Sequence, residues 1–356
     1  MSTTPNPRRN RRRAPRHRAK LARALAGLLL AGAWLGPATA ADRPQPNAGP
    51  FHVYMIQWRG PTETDRGFTD YFTQEGIPAT FTVRDANRNP EAIPGFVQEI
   101  KALRPDLVYV WGGAAPPLLV GRYDAVDPER HVVDIPVVTC MVADPVELGV
   151  VPSWESSGRN VTGTSHVAPI EVQVRAMQAY APLRHLAVMF NTTEPGPGVV
   201  VDKLRVLAQR HGFRLTTWPV PVDAGGKSIP GSLPQLVRQV AETKPDFLYL
   251  GPDSFLGANR QIVTDAARQF GLPTFVSSEI YLKEANGLAG VVSRYYNMGQ
   301  FCGFKAEQIL VAGMRPQDIP FETLKRFSYM IRTDTARAID DIPPLGLLNM
   351  AEVVRD

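Results

Sequence analysis

Cysteine is nearly absent: Cys140 and Cys302 are the only two in 356 residues. That excludes a disulfide-rich scaffold and, with six histidines at no metal-ligand spacing, a structural zinc site. Both cysteines sit among apolar residues and read as buried; whether they bridge is left open. Acidic residues are missing from residues 1–40, where nine of the 39 basic ones lie. The other 316 positions therefore carry 30 basic against 34 acidic residues, a formal net charge of −4, and the +5 of the whole chain belongs to its first segment. Neither nucleic acid nor an anionic membrane surface is an expected partner. Apolar runs of the ~20 residues that a membrane span needs are missing as well. So are the common enzyme signatures. Gly226-Lys227-Ser228 has the ending of a phosphate loop, but the position of the required earlier glycine is Pro221, and no Gly-x-Ser-x-Gly elbow occurs. The chain is expected to be no enzyme, with no catalytic residue, cofactor or metal.

What is present starts with a leader. Arg8, Arg9, Arg11, Arg12, Arg13, Arg16, Arg18 and Lys20 precede an apolar run from Leu21 to Leu35, and Ala38-Thr39-Ala40 forms a small-x-small cleavage pattern. Residues 1–40 thus read as a secretory signal peptide for the general route. No cysteine follows the cleavage pattern, so no lipid anchor is indicated. The remaining 316 residues are enough for two cores.

Strand-like and helix-like patterns then alternate. Strands are expected at Val53–Ile56, Thr80–Val83, Leu107–Trp111 and Ile135–Val142; helices at Asp65–Gln74 and along Ile93, Phe96, Val97, Ile100 and Leu103, whose spacing of three and four is helical. The pattern repeats with strands at Leu186–Phe190, Leu215–Val220, Phe247–Leu250 and Thr274–Val276, and helices at Val199–Gln209, Leu233–Glu242 and Asn259–Gln269. Arg104-Pro105-Asp106 is mirrored by Lys244-Pro245-Asp246, 140 residues on, and Ile135-Pro136 by Leu272-Pro273, 137 residues on. These offsets predict two similarly wound α/β lobes, each a doubly wound parallel sheet, with a hinge and a central cleft. The link between them is expected near Arg159-Asn160-Val161-Thr162-Gly163. A further helix is expected over Met298–Val311, a strand over Phe327–Ile331 and a short helix over Thr333–Ile339.

The stretch from Val138 to Glu147 locates a site. A β-branched run stops at Asp144-Pro145, where Asp is a good N-cap, Pro suits the first turn and Glu147 stands where a capping box would put it. Ligands of open α/β sheets bind beyond such strand ends. Strand ends accordingly predict the lining: Gln57 and Trp58; Trp111, Gly112, Gly113 and Ala114; Asp144; Asn191 and Glu194; Asp253; Ser278 and Glu279; Arg294 and Tyr295. Gly112-Gly113 would leave backbone N–H groups open to an anion at a helix start. Trp58 and Trp111 would stack on a flat body, Tyr295 and Tyr296 would wall it, and Arg294 would receive a carboxylate.

Asp144-Pro145-Val146-Glu147-Leu148-Gly149 followed by Gly158-Arg159-Asn160-Val161-Thr162-Gly163 resembles the hallmark of the ABC transporter substrate-binding proteins that include the tryptophan/tyrosine type. Asn191, Leu272-Pro273, Gly313 with Ile319-Pro320, and Ile342-Pro343-Pro344 fall where that family has them. The resemblance covers residues 51–356 and implies a type I periplasmic binding protein. Lobe one would comprise 51–162 plus 277–322, and lobe two 163–276 plus 323–356. It implies a monomeric periplasmic protein that closes on a small organic ligand, amino-acid-like or an aromatic or aliphatic carboxylate, and delivers it to an ABC permease of the inner membrane. The alternative is a ligand-sensing module for a membrane receptor. The chain departs from the family at Gly196-Pro197, at Val291–Tyr296 and at Trp58-Arg59-Gly60-Pro61.

Overall fold

The structure is a computed structural model that describes residues 49–193 and 195–355. The expected leader, residues 1–40, and the candidate Glu194 lie outside the described residues. In chain order the first elements are β1 (Phe51–Gln57), α1 (Glu63–Gln74), β2 (Ala79–Asp85), α2 (Ile93–Leu103), β3 (Leu107–Trp111), α3 (Ala115–Val120), β4 (Val137–Val142) and β5 (Val161–Ser165). Then come α4 (Ile170–Tyr180), β6 (His185–Phe190), α5 (Pro195–His211), β7 (Arg214–Pro219), α6 (Leu233–Glu242), β8 (Phe247–Leu250), α7 (Ser254–Ala258), α8 (Arg260–Gln269) and β9 (Thr274–Val276). The chain ends in α9 (Ile280–Lys283), β10 (Ala289–Val292), α10 (Tyr295–Leu310), β11 (Glu322–Thr323), β12 (Ser328–Arg332), α11 (Thr333–Ala338), α12 (Leu345–Leu348) and β13 (Glu352–Val354).

The strands form two sheets, one ordered β11-β5-β4-β3-β1-β2 and one ordered β13-β12-β10-β9-β8-β6-β7. Every pairing is parallel except β10 with β12. Parallel strands joined by helices must be covered on both faces, which is why β3 and β8 read as unbroken apolar runs and β4 and β6 as nearly so. Each sheet is wound outward in two directions from its first strand, so a topological switch point falls between β1 and β3 in one and between β6 and β8 in the other.

Strand membership differs from the expected division in two places. Val161-Thr162-Gly163, expected in the link at Arg159–Gly163 because that stretch is polar and contains glycine, begins the buried strand β5 beside β4. Residues 289–292, expected with lobe one, pair with β9 and β12 of the second sheet. The chain therefore passes between sheets three times, over residues 166–169, 293–294 and 324–327.

After the second passage α10 returns to the first sheet and crosses α1 backbone to backbone. A Cβ on Gly67 would lie 2.1 Å from the Tyr296 carbonyl oxygen, and one on Gly299 would lie 2.0 Å from that of Thr64. Only glycine permits this approach, which holds the start of α10 at the cleft. A disulfide between Cys140 and Cys302 ties the same helix to β4.

Candidate functional site

The carboxyl ends of both sheets meet at their switch points. In the first sheet, Gln57-Trp58-Arg59 leave β1 beside Trp111 and Gly112 leaving β3. Gly112 has φ +92°, and a Cβ there would lie 3.4 Å from the Cβ of Trp58, so glycine lets the two loops pack. In the second sheet, the Asn191 N–H after β6 donates to the Asp253 carboxylate after β8 at 2.7 Å.

Most strand-end groups of the second sheet are engaged with one another. Asp253 also caps α7 through Leu256 N–H at 2.8 Å. Asn191 Oδ1 accepts from the Ser228 hydroxyl at 2.6 Å and from Thr193 N–H at 3.0 Å. Ser278 Oγ and Tyr295 Oη are 2.9 Å apart. Glu279, only 3% exposed, accepts from Tyr295 N–H at 2.7 Å and pairs with Arg294 at 2.7 Å and Lys283 at 3.1 Å.

Four expectations are corrected here. Arg294, expected to receive a ligand carboxylate, lies between Glu279 and Glu352 and is ion-paired to both. Burial works against its charge, but the two carboxylates outweigh it and raise its pKa. Gly112 does not leave its N–H open, because it donates to the Cys140 carbonyl at 2.9 Å. The helix beyond, α3, is one short turn and a half whose second and third residues, Pro116 and Pro117, have no N–H to offer. Gly113 packs on Leu148, and Ala114 caps α3. Finally, Asp144 begins a single turn and not a helix. Its carboxylate accepts from Val146 and Glu147 N–H at 3.1 and 3.3 Å as a cap would, but Gly149 at φ +67° ends the turn. Glu147 turns outward to Lys203 of α5 at 3.2 Å, with Asp144 3.5 Å from the same ammonium. This pair of contacts joins the loop after β4 of the first sheet to helix α5 of the second. Burial and the Asp144 charge raise the Glu147 pKa against the pull of Lys203. Tyr296 is not a cleft wall either: its hydroxyl donates to Asp70 and its ring carries Arg66 on the α1 side.

Arg59, which the strand-end reading stopped one residue short of, sits at the centre. Its guanidinium lies 4.9 Å from the centroid of the Trp111 ring. It acts electrostatically on His166 from the first passage between sheets, on Tyr281 of α9 and on Tyr295 of α10. Burial, aided by Arg59, pushes the His166 pKa down to about 4, so the imidazole is neutral. Burial raises Tyr281 and Tyr295, with Arg59 opposing in both. Trp111 Nε1 and Tyr281 Oη are buried without a hydrogen-bond partner, in side chains only 6% and 1% exposed. Buried polar atoms are rarely left so, and a ligand is one way they are met. A cavity of about 410 Å³ is lined by Glu63, Arg66, Glu279, Arg294 and Tyr296.

Among the described residues no group of three or more His, Cys, Asp or Glu is placed to hold a metal ion, and no helix is long and apolar enough to cross a membrane. Residues 55–350 match the family described as ABC transporter substrate binding protein. A tyrosine-binding protein of Clostridioides difficile (strain R20291) is 28% identical over 208 residues, which are 58% of this chain and 57% of that protein. The alignment thus spans little more than half of that relative. An ABC domain solved in complex with L-Trp, from Streptococcus pneumonia, superimposes with a TM-score of 0.72 at 20% identity, over 86% of this chain and 100% of that one. A conserved domain protein from Vibrio cholerae O1 biovar eltor str. N16961 gives 0.72 at 21% identity, over 86% and 99%. At these identities the structural likenesses establish the fold, the two-lobed type I periplasmic binding architecture.

Proposed function

Because this chain belongs to the ABC transporter substrate-binding protein family, we propose that it is a periplasmic protein that encloses a small organic solute between its lobes and delivers it to an ABC permease of the inner membrane. The observation that carries this reading is Arg59 lying over Trp111 at the first sheet's switch point, in electrostatic reach of Tyr281 and Tyr295 from the second sheet's side, with buried polar atoms still unmatched. Binding sites of this fold class form at such points, and closure removes the solute from water. The solute is amino-acid-like, or an aromatic or aliphatic carboxylate. The protein does no chemistry on it: its polar groups orient the ligand, and burial supplies the affinity. A leader such as residues 1–40 would export the chain, and the mature protein would act as a monomer.

A thermal-shift screen of the purified protein against amino acids, carboxylates, sugars and nucleosides tests this. A ligand at ~100 times its Kd adds about 2.7 kcal/mol of stability, a rise of a few degrees for a chain of this size. A shift confined to one chemical class is the expected result. No shift from any class, or turnover of the compound that binds, would count against it.

A further inference from the structure

We propose that the solute is a carboxylate with a flat body and no ammonium group, its carboxylate held by Arg59. The inference rests on the solute-binding reading and narrows it. Arg59 is half-buried and has neither an ion-pair nor a hydrogen-bond partner among the described residues; its guanidinium lies over the Trp111 ring. A ring contact of this kind uses none of the five N–H donors on the guanidinium edge. That edge matches a carboxylate in two parallel hydrogen bonds. Among the described residues, the three candidate carboxylates of the strand ends are already engaged. Asp144 is capped by two backbone N–H groups and paired with Lys203; Asp253 accepts from Asn191 and Leu256; Glu279 is bracketed by Arg294 and Lys283.

The same inventory argues against a zwitterion. An ammonium near Arg59 would meet a like charge and, among these three carboxylates, none that is uncommitted. The groups around Arg59 are neutral: the His166 imidazole, the Tyr281 and Tyr295 phenols and the Trp111 indole. Trp111 Nε1–H can donate to a carboxylate oxygen or a ring substituent, and Tyr281 Oη to either. Aromatic side chains suit a flat apolar body.

Calorimetric titration with matched pairs tests this: tyrosine against 3-(4-hydroxyphenyl)propanoate, tryptophan against 3-(indol-3-yl)propanoate, and each acid against its neutral amide. The acids lacking the ammonium are expected to bind about tenfold or more tightly than the amino acids, and the amides not at all. Arg59→Gln is expected to lose about 30-fold in affinity for the acids, and Arg59→Lys less. The melting temperature of each ligand-free variant shows whether the fold is intact. Tighter binding of the amino acids, or equal binding by an intact Arg59→Gln, would overturn the proposal. A sugar or nucleoside bound alike by both forms would overturn it while leaving the solute-binding reading in place. No binding by any compound would remove both.

Discussion

On the second sheet's side of the cleft, most polar side chains are matched: Asn191 with Ser228, Asp253 with the Asn191 N–H, Ser278 with Tyr295, Glu279 with Arg294 and Lys283, the Tyr281 hydroxyl being an exception. On the first sheet's side, Arg59 rests on Trp111 without an anion, and the Trp111 N–H is unmatched. Satisfied networks rigidify and specify a shape, whereas unmatched groups await a partner. Two arginines make the contrast concrete. Arg294 and Arg59 each follow the end of a strand, but one completes an internal network and the other points a charge at the cleft. Residue type and position along the strand do not separate them; only the carboxylates brought in from β13 and the loop before α9 do.

The largest expected effect separates these two arginines by stability. Arg294→Ala would leave Glu279, 3% exposed, without its closest cation. Removing one partner of a buried pair costs about 3 kcal/mol or more. Arg59→Ala removes no ion pair, so chemical denaturation should place it within about 0.5–1 kcal/mol of the parent, the worth of an exposed cation–π contact. If the two variants unfold at similar denaturant concentrations, the distinction between a structural and a receptive arginine fails.

His166 sharpens the comparison at the first passage between the sheets. Its folded pKa is pushed down to about 4 from an ordinary 6.5, chiefly by burial. The unfolded chain therefore binds the extra proton first. The stability from keeping the ring neutral is complete above pH 6.5 and is lost as pH falls toward about 4, by at most about 3 kcal/mol. His131 and His185, also lowered mainly by burial, add in the same direction. Melting curves between pH 7 and 4.5 should fall more steeply for the parent than for His166→Asn. Parallel curves would mean that the ring is solvated.

The fold was largely legible because periodicity and strand length carry it. Leu233–Glu242 and Phe247–Leu250 stand where the pattern put them. The misses share a cause. Val161–Ser165 has the composition of a linker and becomes a strand because β4 and β11 flank it. Ala289–Val292 is only four residues long, and its last two fall in the Val291–Tyr296 departure from the family pattern. Pro145 suited a helix that Gly149 cut to one turn. Around the candidate site, strand ends point to Trp58, Trp111, Asn191, Asp253 and Ser278 because each follows a strand at the carboxyl end of its sheet. Which of the charged groups would be neutralised could not be read, because the partners of Arg294 come from positions 15 residues earlier and 58 later. Arg59 was one residue beyond a window that ended at Trp58. His166 was hidden with the strand that precedes it.

The smallest expected effect concerns the contact that joins the two sides, Lys203 to Asp144 and Glu147. Lys203 is 52% exposed, so solvent screens the pair and its worth is below about 1 kcal/mol. Its loss also leaves Asp144 and Glu147 facing each other, which the raised Glu147 pKa already reflects. Lys203→Ala should therefore weaken solute binding by no more than about fivefold, mainly through faster release, and the difference should shrink at high salt. Stopped-flow release rates at low and high salt measure it. An effect as large as that of Arg59→Gln, surviving in high salt, would put closure under the control of this latch, and the first sheet's side would no longer owe its role to the unpaired cation alone.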